Sequence, residues 1–481
     1  MKKNYYLIIA LFIILTATFL RLYNLGGFIT FLGDQGRDAS IIRNIITFKH
    51  FPAIGAPSSV GQIYLGPFYY YLMAPWLLIF NFNPVGLGYG VAIMSIIGLT
   101  ACYFIIRKEC SEIIALTFLA IITFSFTLVN LSRFSWNPNL LPIFSFMTLY
   151  FFHLWVTQKK NVYAAIFGSL LALTVQLHHL ALLLFGPLTL MLAYHFYRTN
   201  EKKKLLIQMI PTIGAFIFFS SPLIVFDLRH DFLNTKSFMK LFSSGNVVSE
   251  GSYLDRLTAT INGFFHFSFQ MPEYTSGAII VFILLLCIYA WIIKKTKSDF
   301  LLLHLLTVTI FIFGFALLNS PRHYHYYGPA YLSFYLLIAS ILMVVPKGNW
   351  QYVVSSFIGI IFVAINIPAY YFFYYPPNNQ IEHAQKVAES FKPYIKKQPI
   401  QMVPIPTTET DGHYRYFLET EGYELMPQDS PEQAQELYVV CFEECKPLDD
   451  PQWQIAAFYN KSLAGSWKAE RATIYKIIHK Q

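Results

Sequence analysis

A succession of long apolar runs separated by short polar loops constrains this chain more than any other feature. A helix needs about 17–25 apolar residues to cross a bilayer. Such runs fall near 4–22, 84–106, 111–129, 139–156, 162–178, 180–197, 205–225, 277–293, 300–318, 328–346 and 351–370, eleven in all. Backbone polar groups in lipid must be satisfied within the segment, so each run reads as a helix. Charged residues make up 13% of the chain against about 25% in an ordinary soluble domain. The expected fold is a polytopic α-helical membrane protein of about 11 transmembrane helices. The opening "MKKNYYLIIALFIILTATFLR" has a basic start and no small-residue cleavage site, so it reads as the first span and not as a removed leader.

The formal charge of +9 is carried largely by short lysine clusters between spans, which argues against a nucleic-acid partner and for membrane orientation. Lys2/Lys3, Arg107/Lys108, Lys159/Lys160, Arg198 with Lys202–Lys204, Lys294/Lys295/Lys297 and Lys347 occupy every second loop. Positive loops stay cytoplasmic, so the N-terminus is expected in the cytoplasm of a multi-pass plasma-membrane protein. The alternation requires "GPFYYYLMAPWLLIF" (66–80) not to cross. Pro67 and Pro75 are expected to break it, and its three tyrosines suit the headgroup zone.

The sequence divides at 375/376. Residues 1–375 form the membrane part, with outer loops 23–66 and 226–276 expected to contain interfacial helices. The second of these loops is long enough to act as a lid. From 376 to 481 the apolar runs shorten: "IEHAQKVAESFKPYI" reads as an amphipathic helix and "ELYVVCF" as a buried strand. We expect a small soluble α/β domain on the extracytoplasmic side. Cys441 and Cys445 can form a disulfide in an oxidising compartment, and a lone C-x₃-C lacks the second half of a zinc site. Cys102, Cys110 and Cys287 lie in or beside apolar segments as packing residues.

The outer face collects the residues capable of chemistry. "FLGDQGRDAS" is followed by Ile41, Ile42, Ile45 and Ile46 at helical spacing, with Arg37, Asp38, Arg43 and Asn44 on the other side. Asp34 and Asp38, four apart, fall on one helix face. Either carboxylate also suits a helix N-cap. "SRFSWNPN" offers the Arg133 fork, the flat face of Trp136, and the amides of Asn137 and Asn139 for an anionic, sugar-bearing ligand. The same "NPN" would start a helix equally well. Gln176, His178 and His179 end a span. The adjacent histidines point about 100° apart on a helix, which suits hydrogen bonding better than metal ligation. "FDLRHDF" supplies Asp227, Arg229, His230 and Asp231, and "SPRHYHYYGPAY" supplies Arg322, His323, Tyr324, His325 and Tyr327. The second of these stretches also fits an aromatic belt anchor. No phosphate-binding glycine loop, dinucleotide fingerprint, zinc-protease helix or hydrolase elbow is present, which argues against soluble nucleotide chemistry.

In order along the chain, the first-loop acidic motif, "RDASIIRNIITF", "GPFYYYLMAP", "SRFSWNPNLLPIF", "QLHHLALLLF", "FDLRHDFLNT" and "PRHYHYYGPAY" resemble the membrane-embedded C-type glycosyltransferases. The resemblance covers roughly residues 1–370 and is nearest to the bacterial branch related to protein O-mannosyltransferases and the aminoarabinose–lipid A transferase. It implies transfer of a sugar from a polyprenyl-phosphate donor to a protein, glycolipid or polysaccharide acceptor outside the cytoplasm. Asp34 matches the family's first-loop acid, as general base or metal organiser, and Asp38 and Arg37 extend the motif. Arg229 and Arg322, with Arg133, are the expected donor-phosphate cations. Arg37, Trp136, Asn137, Gln176, His178, Tyr324 and Tyr327 are expected to line the substrate pocket. Relatives often place a second acid in the next outer loop, where 130–139 has none. A tightly bound ion is therefore not expected, and a divalent cation held weakly at Asp34 is the remaining metal role.

A flippase of lipid-linked sugars would use the same polar face without bond cleavage. Such transporters usually show internal repeats and sites at the midplane, and neither is visible here. A sensor anchored by its membrane part would not need so many spans.

Overall fold

All eleven apolar runs become helices in the computed structural model, which describes residues 2–58, 63–243, 252–273, 277–395, 398–427, 430 and 432–480. The chain opens with α1 (Lys2–Leu22) and the single turn α2 (Leu25–Phe28), then α3 (Gly33–Ile46) and α4 (Phe68–Ile79). Next come α5 (Val85–Glu109), α6 (Glu112–Phe124), α7 (Phe126–Leu131), α8 (Leu141–Gln158), α9 (Asn161–Leu177), α10 (Phe185–Arg198) and α11 (Lys202–Arg229). The second long outer loop holds α12 (Leu233–Ser243) and α13 (Tyr253–Phe269), and α14 (Ala278–Thr296), α15 (Asp299–Phe315), α16 (Gly328–Ser340) and α17 (Asn349–Asn366) complete the bundle. Among the described residues, eight helical segments are long and apolar enough to cross a membrane. The runs at 111–129, 162–178 and 300–318 form the shorter apolar helices α6, α9 and α15. The first of these is interrupted because Ser125 adopts an extended conformation, after which α7 continues the path.

The segment at 66–80 behaves differently from its expectation in two ways. Pro67 stands at the N-cap of α4, but Pro75 lies inside the helix and does not end it. At about 1.5 Å per residue, a 12-residue helix reaches roughly 18 Å, too little for a hydrocarbon core of about 30 Å. Two of its tyrosines turn inward: Tyr69 and Tyr70 are buried, while Tyr71 is exposed. The Tyr69 hydroxyl pairs with Ser135 Oγ at 2.7 Å and the Tyr70 hydroxyl donates to Asp38 at 3.2 Å. Burial of the rings is combined with satisfied hydroxyls, as buried tyrosines require.

Helix α3 was expected to lie against lipid, yet its apolar stripe is covered by protein. Ala39, Ile42 and Ile45 share one core with Tyr69, Tyr70, Met73 and Leu77 of α4. Complete burial of a side chain such as Ile42 contributes about 1.5–3 kcal/mol.

The tail forms a four-stranded sheet ordered β1 (Gln401–Ile405), β2 (Glu436–Cys441), β4 (Ala472–His479), β3 (Lys461–Ala469). Strands β1 and β2 pair in parallel across the crossover helix α19 (Gly412–Thr420), and the other pairings are antiparallel. Helix α18 (Gln380–Phe391) precedes the sheet as the amphipathic pattern predicts, and the turn α20 (Trp453–Ala456) follows β2. Both β1 and β2 are buried along their whole length, which explains the unbroken apolar character of "LYVVC". Cys441 and Cys445 are joined as a disulfide.

This domain sits on α3. A Cβ on Gly36 would lie 2.1 Å from the Gly412 carbonyl oxygen, and one on Gly412 would lie 2.4 Å from that of Gly33. The two backbones touch because neither residue has a side chain. Ser40 donates to Glu419 at 2.7 Å, and Gln380 accepts from the Phe31 amide at 2.7 Å. The first outer loop and the tail therefore share one end of the molecule.

Candidate functional site

Helix α3 starts with Gly33 and carries Asp34 in its first turn, where the positive end of the helix dipole favours a carboxylate. Neither aspartate caps the helix. That role belongs to Gln35, whose side chain accepts from the Leu32 amide at 3.1 Å. Asp34 and Asp38 both turn toward Arg37. The guanidinium reaches Asp34 through Nη1 at 2.9 Å and Asp38 through Nε at 3.0 Å and Nη2 at 2.8 Å. Their surroundings differ sharply: the Asp34 side chain is 52% exposed, that of Arg37 33%, and that of Asp38 1%. Burial pushes the Asp38 carboxyl upward, opposed by the Arg37 charge and the Tyr70 hydroxyl. Burial also works against the Arg37 charge, but Asp38, with Tyr70 and Asp34, more than offsets it and holds the guanidinium above its ordinary value.

Asp34 and Arg37 open into a cavity of about 880 Å³. That is within the range of small-molecule sites. Its other walls come from Ala56–Ser58, Leu65, Trp136–Pro138, His178–Leu180, Leu182, Leu183, Phe238, Gly314, Leu317–Ser320 and His323–Tyr326. Trp136 stands over His325 with ring centroids 4.5 Å apart, and His178 lies 5.1 Å from Tyr326. His178 Nδ1 accepts from the Leu180 amide at 3.2 Å and so closes the N-terminus of the next helical turn. His179 Nε2 and His325 Nδ1 are buried without a hydrogen-bond partner among the described residues. The cavity thus joins the paired Asp34 and Arg37 side chains to an aromatic and imidazole wall. Among its lining residues Arg37 is the sole arginine, and there is no lysine.

Of the expected pocket residues, Arg37, Trp136, Asn137, His178 and Tyr324 line this cavity together with Asp34. Asn137 also donates from Nδ2 to the Leu177 carbonyl at 2.7 Å, fastening the end of α9. Gln176 and Tyr327 lie elsewhere. Gln176 bridges the Phe68 amide and the Phe219 carbonyl, and the buried Tyr327 hydroxyl donates to the Thr260 carbonyl at 3.0 Å. Asp38 is behind Arg37 and does not reach the cavity, which corrects its expected place beside Asp34.

The three arginines expected at a donor phosphate also lie off the cavity, two of them engaged by backbone carbonyls. Unsatisfied carbonyls at a helix C-terminus attract cations. Arg133 is 1% exposed and donates to the Leu20, Arg21 and Tyr23 carbonyls at the end of α1, with its guanidinium 3.9 Å above the Phe372 ring. Arg322 donates to the Leu318 and Ser320 carbonyls just past α15, and to Thr260 Oγ1 at 2.9 Å. Arg229 is exposed in the last turn of α11. Missed by the pocket expectation were His179, His323, His325, Phe238 and Ser320. The alternating "HYH" at 323–325 was the one usable signal: His323 caps a short helical turn that contains His325, and the two rings stack with centroids 5.7 Å apart.

A weakly held divalent ion at Asp34 would have to share that carboxylate with Arg37. The Arg37 guanidinium lies between the two carboxylates where a cation would bridge them. No group of three or more metal-ligating side chains occurs among the described residues.

No family model and no curated protein sequence matches the chain. Solved structures do match. The ArnT protein of Cupriavidus metallidurans bound to undecaprenyl phosphate aligns over 98% of this chain and 97% of its own, with a TM-score of 0.58 at 11% identity. The same protein in the apo state gives 0.60 at 11% identity, covering 99% and 98%. An oligosaccharyltransferase of Archaeoglobus fulgidus, in complex with zinc and sulfate, gives 0.53 at 15% identity, covering 87% of this chain and 62% of its own. The chain has the membrane-embedded C-type glycosyltransferase fold, completed by a small C-terminal sheet domain.

Proposed function

We propose that this protein is a membrane glycosyltransferase that moves a sugar from a polyprenyl-phosphate donor to a hydroxyl of a glycolipid, polysaccharide or protein acceptor. The observation that carries the reading is the meeting of Asp34, Arg37, Trp136 and His325 at one cavity, within this fold. The ArnT protein, which shares the fold, binds undecaprenyl phosphate, and this supports a lipid phosphate as the donor's carrier here.

In the reaction, an acceptor oxygen forms a bond to the anomeric carbon while the carbon–oxygen bond to the phosphate breaks. The acceptor proton goes to a base and the bonding pair leaves with the polyprenyl phosphate. Asp34 is exposed enough to meet the acceptor and serves as that base. Arg37, clamped from behind by Asp38, presents fixed positive charge at the same edge, where it can offset charge developing in the transition state. The imidazoles of His178, His179, His323 and His325 supply hydrogen-bond donors to phosphate oxygens, in place of Arg133 and Arg322, which are engaged by backbone carbonyls. Trp136 gives the sugar an apolar face. Asp38 acts through Arg37 and is a positioning residue.

The lysine loops support an orientation with the N-terminus in the cytoplasm and with the cavity and tail outside. The Cys441–Cys445 disulfide supports an oxidising compartment for the tail. Asp34→Asn tests the role of the base. The variant is expected to insert and fold normally and to release no polyprenyl phosphate from a labelled lipid-linked donor. Near-normal turnover would remove Asp34 from the chemistry, and label crossing vesicles without bond cleavage would favour a flippase.

A further inference from the structure

A second cavity lies at the opposite end of the membrane part. Helix α9 runs from it to the first site: its Asn161 end lines the second cavity, and His178, just past its other end, lines the first. Seventeen helical residues separate the two by about 25 Å. The second cavity measures about 720 Å³ and lies among the end of α8, the start of α9 and the start of α11.

Its upper rim is cationic. Lys159, Lys160, Lys203 and Lys204 line it against a single acid, Glu201. Glu201 holds Lys159 at 2.5 Å and lies 3.6 Å from Lys204, while Lys160 and Lys203 are exposed. Two helices begin here, and neither α9 nor α11 has a side-chain cap, so the positive ends of both dipoles face the cavity. Gln208 forms part of the floor. It is 2% exposed; its Nε2 donates to the Lys159 carbonyl at 2.5 Å, and its Oε1 is buried with no hydrogen-bond partner among the described residues. A buried amide oxygen of this kind calls for a donor that the described residues do not supply. The outer wall is apolar and open: Val162 is 55% exposed and Ile207 51%, continued by Ile210 along α11.

Orientation rules account for lysines in this loop and the bilayer for the apolar wall beside them, but neither accounts for a buried acceptor beneath the lysines. We infer that this cavity binds an anionic phospholipid of the adjoining leaflet. Its phosphodiester would lie among the lysines and helix starts, a headgroup hydroxyl would donate to Gln208 Oε1, and its acyl chains would run along Val162 and Ile207. Phosphatidylglycerol has that chemistry, whereas phosphatidylcholine lacks both the net charge and the hydroxyl. The inference does not depend on the sugar-transfer reading.

The test uses the full chain, delipidated in detergent and offered equal amounts of phosphatidylglycerol and phosphatidylcholine, with retained lipid counted by native mass spectrometry. Phosphatidylglycerol is expected to be retained at least fivefold over phosphatidylcholine, with soluble glycerophosphate unable to displace it. Each neutralised lysine is expected to reduce the preference about fivefold, so Lys160→Gln and Lys203→Gln are read singly, with Lys203→Arg as a charge-preserving control. Gln208→Leu should lower phosphatidylglycerol retention and leave phosphatidylcholine unchanged. Equal retention of the two lipids by the wild-type chain would overturn the inference without any variant. Displacement by glycerophosphate would also overturn it, by showing a free-anion site.

Discussion

Arg37 donates to Asp38 through Nε at 3.0 Å and Nη2 at 2.8 Å, locking a half-exposed guanidinium onto a carboxylate that solvent does not reach. Breaking one side of a buried pair costs more than removing both, because the survivor is left charged and unsolvated. Arg37→Gln is expected to destabilise the protein by about 3–5 kcal/mol. The double variant with Asp38→Asn should recover at least about 1 kcal/mol of the summed single losses. Unfolding in detergent measures the cycle, and strict additivity would show that the pair is not coupled.

The same guanidinium takes the place a divalent ion would need between Asp34 and Asp38. Chelation with EDTA is therefore expected to leave sugar transfer within about twofold of the untreated rate, well under the factor of ten that corresponds to 1.4 kcal/mol. A tenfold loss restored by magnesium or manganese would contradict this.

The contact between α3 and α19 depends on two missing side chains. Gly412→Ala puts a methyl group 2.4 Å from the Gly33 carbonyl oxygen, an overpacking worth about 1–3 kcal/mol. The tail should loosen from α3 and become more accessible to protease near 376–380. Gly465→Ala, where a Cβ meets nothing within 4 Å, serves as the control and should leave cleavage unchanged.

His413 stands at this contact, its backbone nitrogen 2.4 Å from where a Cβ on Gly36 would lie. Burial pulls its pKa down from 6.5 to about 4, opposed by nearby Asp411. A depressed folded value means that the folded protein prefers the neutral ring. The resulting stability is present above about pH 6.5 and is lost as pH falls through 4, by on the order of 3 kcal/mol. Protease accessibility of the tail should rise across that window in the wild type and flatten in His413→Phe.

Trp136, 4.5 Å from His325, offers the cavity its largest flat apolar face. Trp136→Ala is expected to raise the donor KM about two- to tenfold, in line with the 0.5–1.5 kcal/mol of an aromatic contact, and to change kcat less. A fall in kcat at constant KM would place Trp136 nearer the reacting centre.

Span positions were readable from the chain because the requirement is local. A helix in lipid satisfies its own backbone, so length and apolarity suffice to place α1, α5 or α11 without knowing their neighbours. The disulfide pair, α18 and β2 were legible for similar reasons of spacing and pattern. Tyr69 and Tyr70 were not, since a tyrosine suits a headgroup zone and a buried hydrogen bond equally well. Asp38 was misplaced for the same kind of reason: helical spacing aligns it with Asp34, but only the packing of α4 decides which of the two is buried.

The arginines mark the boundary most clearly. Sequence alone established that Arg133, Arg229 and Arg322 belong to the polar end of the bundle, because charges are expelled from apolar spans. Which acceptors Arg133 and Arg322 serve is a matter of which carbonyls come within reach, and in the case of Arg133 and Leu20 those belong to residues more than a hundred positions apart. Arg37 lines the cavity because its own helix supplies the carboxylates that hold it. The order of the spans was written along the chain, whereas the partners of its charges were settled by tertiary contact, since electrostatic pairing depends on distance in space and not in sequence.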